Sequence, residues 1–287
     1  MKKLQFSIYI LLISLLSSCD IFRSSADNFD IDSKKVSEII QASTDSINIP
    51  EFFPDKDVRK YLHKEFDEFY EAREFKMAWL NFDEPNSQVE ELLEAIDEAH
   101  LDGLDAESYK VAEIEKLLQE VYKIESKKER RKRLKEKKSK NEEIANEAKE
   151  QDTLKLYNLV RLDFLLTSSY LTYASHLLSG KIQPDEKEAW FPERRKKELV
   201  PYLNEALSKN KIKNSLQDLA PKHQKYQKMK AVLADFVKME AEQKEWKVIS
   251  PTKGLKPGSS DVIVPLIKKR LASTGEYDYN SGSNDSL

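Results

Sequence analysis

Chemistry in this chain would have to come from one cysteine, four histidines or a crowd of carboxylates. His63, His100, His176 and His223 are scattered, and none has a second His or Cys three or four residues away. That spacing is what lets one helix present two ligands to the same ion, so no metal site is expected. The six glycines include no Gly-x-Gly pair, which excludes the usual dinucleotide and phosphate loops, and no cofactor is expected. Neighbouring carboxylates such as Glu68 with Glu71 and Glu90 with Glu91 sit among 51 acidic residues; at that density a solvated helix face outweighs an acid/base couple. Asp163 and Thr167 are different, because they lie one helical turn apart in an otherwise apolar segment. They would either hydrogen-bond within a core or line a groove, and the core reading is favoured.

The remaining candidate is Cys19, the only cysteine. Lys2 and Lys3 precede a mostly apolar run, Leu4 to Leu16, whose ~13 residues suit a signal-peptide core and fall short of the ~20 that span a bilayer. Leu16-Ser17-Ser18-Cys19 follows directly, and Asp20 and Arg23 argue against a signal-anchor helix. The arrangement resembles the lipobox of bacterial lipoprotein signal peptides. That resemblance implies lipid attachment at Cys19, cleavage before it, and an anchor of several acyl chains where one would be marginal. A thiol consumed in this way is no nucleophile, and with no second cysteine there is no disulfide framework.

Charge points away from nucleic acid. With 48 basic and 51 acidic residues the net charge is -3, and Lys127 to Lys140, although dominated by Lys and Arg, has no aromatic residue to stack on bases. A solvated face is the favoured reading of that run, with an anionic membrane or envelope polymer as the functional alternative. The mean hydropathy of -0.67 is that of a water-exposed body, and no further membrane span is expected. About 270 residues from Cys19 onward are enough for one good core and a small second domain.

The elements that would hold these residues read as helices almost throughout. Residues 20–48, rich in Ser, Asp and Asn, have the composition of a tether, although Val36, Ile39 and Ile40 have helical spacing. Val58, Tyr61, Leu62, Phe66, Phe69 and Tyr70 form an amphipathic stripe. Ser87 with Glu90 reads as a capping box before Val89, Leu92, Leu93 and Ile96, and Gly103 stops that segment. Asp105 can cap the next helix, with its stripe Tyr109, Ile114, Leu117, Leu118 and Val121. Leu154 to Leu178 is too apolar for a surface helix and should be central, ending at Gly180 with Pro184 beyond. Between these lies a charged insertion, 125–152, expected as an exposed hairpin or mobile stretch. Later helices are expected at 194–208, 215–220 and 224–242. The only strand-like alternation is Trp246 to Ile249, and Pro257 between Gly254 and Gly258 marks a turn. The fold class is mostly α.

Local sequences, in order, resemble one family. Phe69-Tyr70, Arg73-Glu74-Phe75 and Ala78-Trp79 are followed by Ala99-His100-x-x-Gly103-Leu104-Asp105 and Tyr109. Leu162-Asp163-x-Leu165-Leu166-Thr167, Tyr173-Ala174 and His176-Leu177-Leu178-x-Gly180-Lys181 come next, then Leu219-Ala220-Pro221-x-His223 and Tyr226. Together they resemble the scaffold domain of the large periplasmic L,D-transpeptidases. Trp246, Leu255-Lys256-Pro257-Gly258 and Val264-x-x-Ile267-x-x-Arg270-Leu271-x-x-x-Gly275 resemble the first helix of the peptidoglycan-binding-like module that follows it. The family's catalytic segment, a cysteine in a Ser-x-Gly-Cys-x-Arg setting with a nearby histidine, finds no match here.

Sequence pattern, composition and resemblance together imply a division into a signal peptide (1–18), tether (19–48), scaffold-like helical domain (49–243, with the insertion), partial peptidoglycan-binding-like module (244–277) and disordered tail (278–287). Val264, Ile267 and Leu271 would then pack on the scaffold or stay partly exposed. The expected protein is an envelope lipoprotein facing the periplasm, non-catalytic on its own, with peptidoglycan or wall-synthesis proteins as partners. The alternatives are one part of a split or truncated transpeptidase and a generic helical lipoprotein adaptor.

Overall fold

The computed structural model describes residues 33–46, 49–81, 84–122, 142–182, 195–242, 248–250, 254–258, 260–273 and 275–278, with isolated positions at 132, 135 and 136. Cys19, most of the basic run 127–140, Pro184 and Trp246 lie outside these residues. The chain divides into two compact units, residues 1–231 and 232–287. Among the described residues the structure is helical, with one isolated β-bridge between Leu80 and Pro85.

The first unit is built around a single long helix. In chain order its helices are α1 (Ser33–Ser46), α2 (Ile49–Phe52), α3 (Lys56–Ala72), α4 (Ser87–Asp97), α5 (Val111–Val121), α6 (Glu142–Ser179), α7 (Leu199–Ser208) and α8 (Ile212–Leu219). Short 3₁₀ turns at Glu98–Asp102 and Ala106–Tyr109 lie between α4 and α5. Every helix from α1 to α5, together with α7 and α8, packs on α6. The sequence of α6 explains this. From Leu156 onward apolar residues occupy all sides, and Leu159, Val160, Leu162, Phe164, Leu165, Leu166, Tyr170, Leu171 and Leu177 are all buried. A helix that is apolar all round must be surrounded.

The helix begins earlier than its apolar part. Residues 142–152, expected in the charged insertion, are continuous with α6, because Glu, Ala, Lys and Gln are good helix formers and no Gly or Pro interrupts them. At 38 residues, α6 is about 57 Å long. It stops where Gly180 turns left-handed (φ 82°) and its amide donates to the His176 carbonyl at 2.9 Å.

The folded body also starts before Ile49. Residues 33–46 are not tether but helix α1, with Val36 and Ile40 buried against the core. The tether composition misleads because one apolar pair at i, i+4 is enough to dock a short helix on a large apolar neighbour. Three other boundaries move. Asn86, not Ser87, caps α4: its side chain accepts from the Gln88 amide at 3.0 Å, since the bridge at Pro85 keeps the chain extended up to that point. Helix α7 begins at Leu199 rather than near 194, which leaves Pro201 in the first turn, where its missing N–H costs nothing. Helix α8 begins at Ile212, three residues before the expected start.

Helix α9 (Gln224–Glu242) runs on from the first unit into the second and has no buried residue. In the second unit Pro257 and Gly258 (φ 83°) form the expected turn. Val248 to Ser250 is irregular rather than strand. Helix α10 (Val264–Ser273) then ends at Gly275 (φ 77°). Val264 and Ile267 are half-buried and Leu271 is exposed.

Candidate functional site

The polar side chains most able to carry chemistry converge at the crossing of α3 and α6. These helices run antiparallel, pairing Tyr70 with Asp163 at one level and Asp55 with His176 at the other. After α3, Glu74 and Phe75 both adopt positive φ (53° and 57°), and the chain doubles back so that Ala78 and Trp79 lie over α6. Their amides donate to Asp163: Ala78 at 3.1 Å to Oδ1 and 3.0 Å to Oδ2, Trp79 at 2.9 Å to Oδ2. The Tyr70 hydroxyl donates to Oδ1 at 2.8 Å. Thr167 Oγ1 lies 2.9 Å from the same hydroxyl and accepts from the Trp79 indole at 3.0 Å. Tyr70, Trp79, Asp163 and Thr167 are all fully buried. Burial pushes the Asp163 carboxyl up from its ordinary value, against the opposing pull of the Trp79 amide, and burial also pushes the Tyr70 phenol up. The alternative in which Asp163 and Thr167 line a groove is therefore set aside. They close a sealed network.

A second network lies near the C-terminal end of α6. The Tyr109 hydroxyl is 3.0 Å from His176 Nδ1, and His176 Nε2 faces Asp55 Oδ2 at 3.6 Å. A phenol, an imidazole and a carboxylate in line resemble a nucleophile–base–orienter relay. Burial defeats that use, because it raises the Tyr109 phenol well above its ordinary value and so disfavours the phenolate. The same burial lowers the pKa of His176, with Asp55 opposing and Lys181 assisting. Neutral His176 then accepts the Tyr109 proton bond at Nδ1.

This arrangement predicts a pH effect with a defined sign. The folded protein binds a proton at His176 less readily than the unfolded chain, whose imidazole titrates at about 6.5. Its contribution is complete above that value and is lost as pH falls towards the lowered folded value. Urea unfolding at pH 7.5 and pH 5 should show lower stability in acid, and His176→Gln should flatten the difference. An unchanged slope in the variant would place the acid sensitivity elsewhere.

The other histidines are on the surface: His63 beside Asp67 on α3, His100 donating to the Asp97 carbonyl, and His223 accepting from the Tyr226 amide. Glu68 and Glu71 are exposed, as the solvated-face reading has it. Glu91 instead reaches across to accept the Lys213 amide at 3.1 Å, at the start of α8. Glu94 and Glu98 hold the Lys213 ammonium at 3.1 and 2.9 Å, and hydrogen bonding to Glu98 raises that lysine's pKa. Among the described residues no group of three His, Cys, Asp or Glu side chains is placed to hold a metal ion.

An open groove of about 250 Å³ lies in this unit. Its floor includes Leu177, Leu216 and Ala220. Asp102, Tyr226 and Lys230 form part of its wall. The polar wall is already engaged: Lys230 spans both Asp102 oxygens at 2.7 and 2.9 Å, and the Tyr226 hydroxyl donates to Oδ1 at 2.5 Å. These two contacts tie the start of α9 to the 3₁₀ turn at Glu98–Asp102. Asp102 and Lys230 were not legible as partners, since 128 residues separate them. Arg195 similarly ties the end of α6 to the end of α8, donating to the Leu177 and Leu219 carbonyls at 2.8 and 2.6 Å.

Several of the residues that carried the family resemblance join helices. Tyr70, Ala78, Trp79, Asp163 and Thr167 form the first network, Tyr109 and His176 the second, and Tyr226 the tie to Asp102. No curated protein matches the chain, and no solved structure does. A family model, that of the Scaffold domain, matches residues 64–233, a span that contains all of these residues. The chain belongs to the Scaffold domain family.

Proposed function

We propose that this chain is a cell-envelope scaffold related to the L,D-transpeptidases, anchored by lipid on Cys19, which binds peptidoglycan or wall-synthesis proteins without itself forming cross-links. The observation that carries the reading is the use made of the family-typical side chains. Asp163, Thr167, Tyr70 and His176 are buried in hydrogen-bonded contacts between helices, where neither substrate nor water reaches them. Residues 64–233 contain no cysteine, so the thiol chemistry that the resemblance implies has no nucleophile within the matched span. The basic start, apolar run and Ser17-Ser18-Cys19 support the anchor.

Labelling with a radioactive fatty acid in a bacterial host tests the anchor. The wild-type chain should incorporate label and Cys19→Ser should incorporate none. An unlabelled wild type would remove the lipid from the account. Retention of the purified chain on isolated sacculi tests wall binding directly, and its absence would leave wall-synthesis proteins as the partner.

A further inference from the structure

Helix α9 carries an apolar face that is exposed among the described residues. Met229 is 72 % exposed, and Val232 and Phe236 are each 52 % exposed. Their spacing of three and four residues places them on one side of the helix. At 100° per residue this side lies roughly a quarter-turn from the one that presents Tyr226 and Lys230 to Asp102. The same line of the helix begins with Lys225 and ends with Glu240, both exposed. Read along the helix, the face is therefore Lys225, Met229, Val232, Phe236, Glu240: a cation, three apolar residues and an anion.

We propose that this face binds a second copy of the chain, with two α9 helices packed antiparallel about a two-fold axis next to Val232. The pattern is self-complementary under that operation, as an isologous interface requires. Lys225 of one helix lies opposite Glu240 of the partner subunit. Met229 lies opposite Phe236 of the partner subunit, a thioether against an aromatic ring, which is a favourable contact. Val232 meets its own counterpart at the axis. The rest of the helix agrees in sign, because its first half carries Lys225, Lys228 and Lys230 and its second half Asp235, Glu240 and Glu242 with Lys238. A parallel pair would place like charges side by side. Three apolar residues per helix make a small interface, well below the standard size for a stable complex, so the association is weak in solution. Attachment to one membrane would raise the effective concentration of the two copies and favour it there.

Disulfide trapping in membranes, using the full chain, tests the geometry. Val232→Cys should give a covalent dimer on mild oxidation. Lys238→Cys, on the opposite side of α9, should not, and the unsubstituted chain sets the background from Cys19. Lys225→Cys should not cross-link to itself but should cross-link to co-expressed Glu240→Cys. Sedimentation of the detergent-solubilised chain gives the charge test. Lys225→Glu or Glu240→Lys alone removes both symmetry-related pairs and should weaken the dimer by up to about thirtyfold, twice the range for one exposed ion pair in free energy, and the double exchange should restore it. All of these positions are exposed, so thermal unfolding should be unaltered and loss of folding does not confound the result. No Val232→Cys dimer above background, or self-linking of Lys225→Cys, would overturn the proposal. A monomer would leave the proposed wall function standing, since that reading is tested by sacculus retention.

Discussion

Asp163→Ala should lower the stability of the first unit by about 3–5 kcal/mol, because three buried donors lose their only acceptor at once. The side chain removed accepts from the Ala78 and Trp79 amides and from the Tyr70 hydroxyl. All three donors would remain in a sealed core with nothing to accept their protons, and each orphan costs about 1–3 kcal/mol. For a body of this size the melting temperature should fall by roughly 2–4 °C per kcal/mol. Asp163→Asn should be much milder. Its amide oxygen can face the Ala78 and Trp79 amides. Its NH₂ can then donate to the Tyr70 oxygen, with the Tyr70 proton turned to Thr167. Burial already pushes the Asp163 carboxyl towards its protonated form, to which Asn is isosteric. Between the ordinary and raised values the folded state holds the extra proton, so stability from this group falls as pH rises through that window. Urea unfolding of both variants checks the prediction. Equal losses for Asn and Ala would mean that the negative charge matters and the network is misassigned.

Phe66→Ala should cost about 3–5 kcal/mol, the usual range for truncating a buried aromatic. Phe66 is fully buried at the centre of the cluster joining α2, α3 and α6. Its ring lies 5.6 Å from Phe53, 5.1 Å from Tyr70 and 5.2 Å from Phe164, edge-on to Phe53 and Phe164. Edge-to-face pairs add to area burial, so the loss exceeds that of an aliphatic of similar size. Phe66→Leu, which refills most of the volume, should lose less than half as much. Thermal melts of the two variants compared with wild type decide. A small effect of Phe66→Ala would mean that α3 can collapse onto α6 without it.

Most of the helical frame could be read in the residues, and the reason is local. Leu154 to Leu178 announces its central position by being apolar on every side, and Gly103, Gly180 and Gly275 mark stops that only a residue tolerant of positive φ makes cheaply. Asp105 is a cap, as its type suggests, but of the 3₁₀ turn at Ala106–Tyr109 through the Glu107 amide; the helix carrying Ile114, Leu117 and Val121 starts only after Lys110, with no side-chain cap. What was not legible is pairing across long separations. Asp163 signals a buried acceptor, but its donors lie 84 to 93 residues away, and nothing in Tyr70 or Trp79 names that partner. Helix α1 was only half legible, as helical spacing of Val36, Ile39 and Ile40 inside a tether-like composition, for a different reason. Its apolar residues are too few to stand out from the Ser- and Asp-rich sequence around them, and it is stable only because α6 offers a large apolar surface to dock on.

The same contrast bears on function. Family-typical residues ordinarily raise the expectation of an active site, yet here Asp163, Tyr70, Trp79 and Thr167 hold two helices and a returning loop in register. That use is structural. The proposal to be tested is that this chain supplies structure rather than cross-linking chemistry. The most direct test incubates the purified chain with tetrapeptide-stem muropeptides and separates the products by mass. The account predicts that no new cross-linked species forms. Cross-linked dimers of the stem peptides, formed by the purified chain alone, would contradict it.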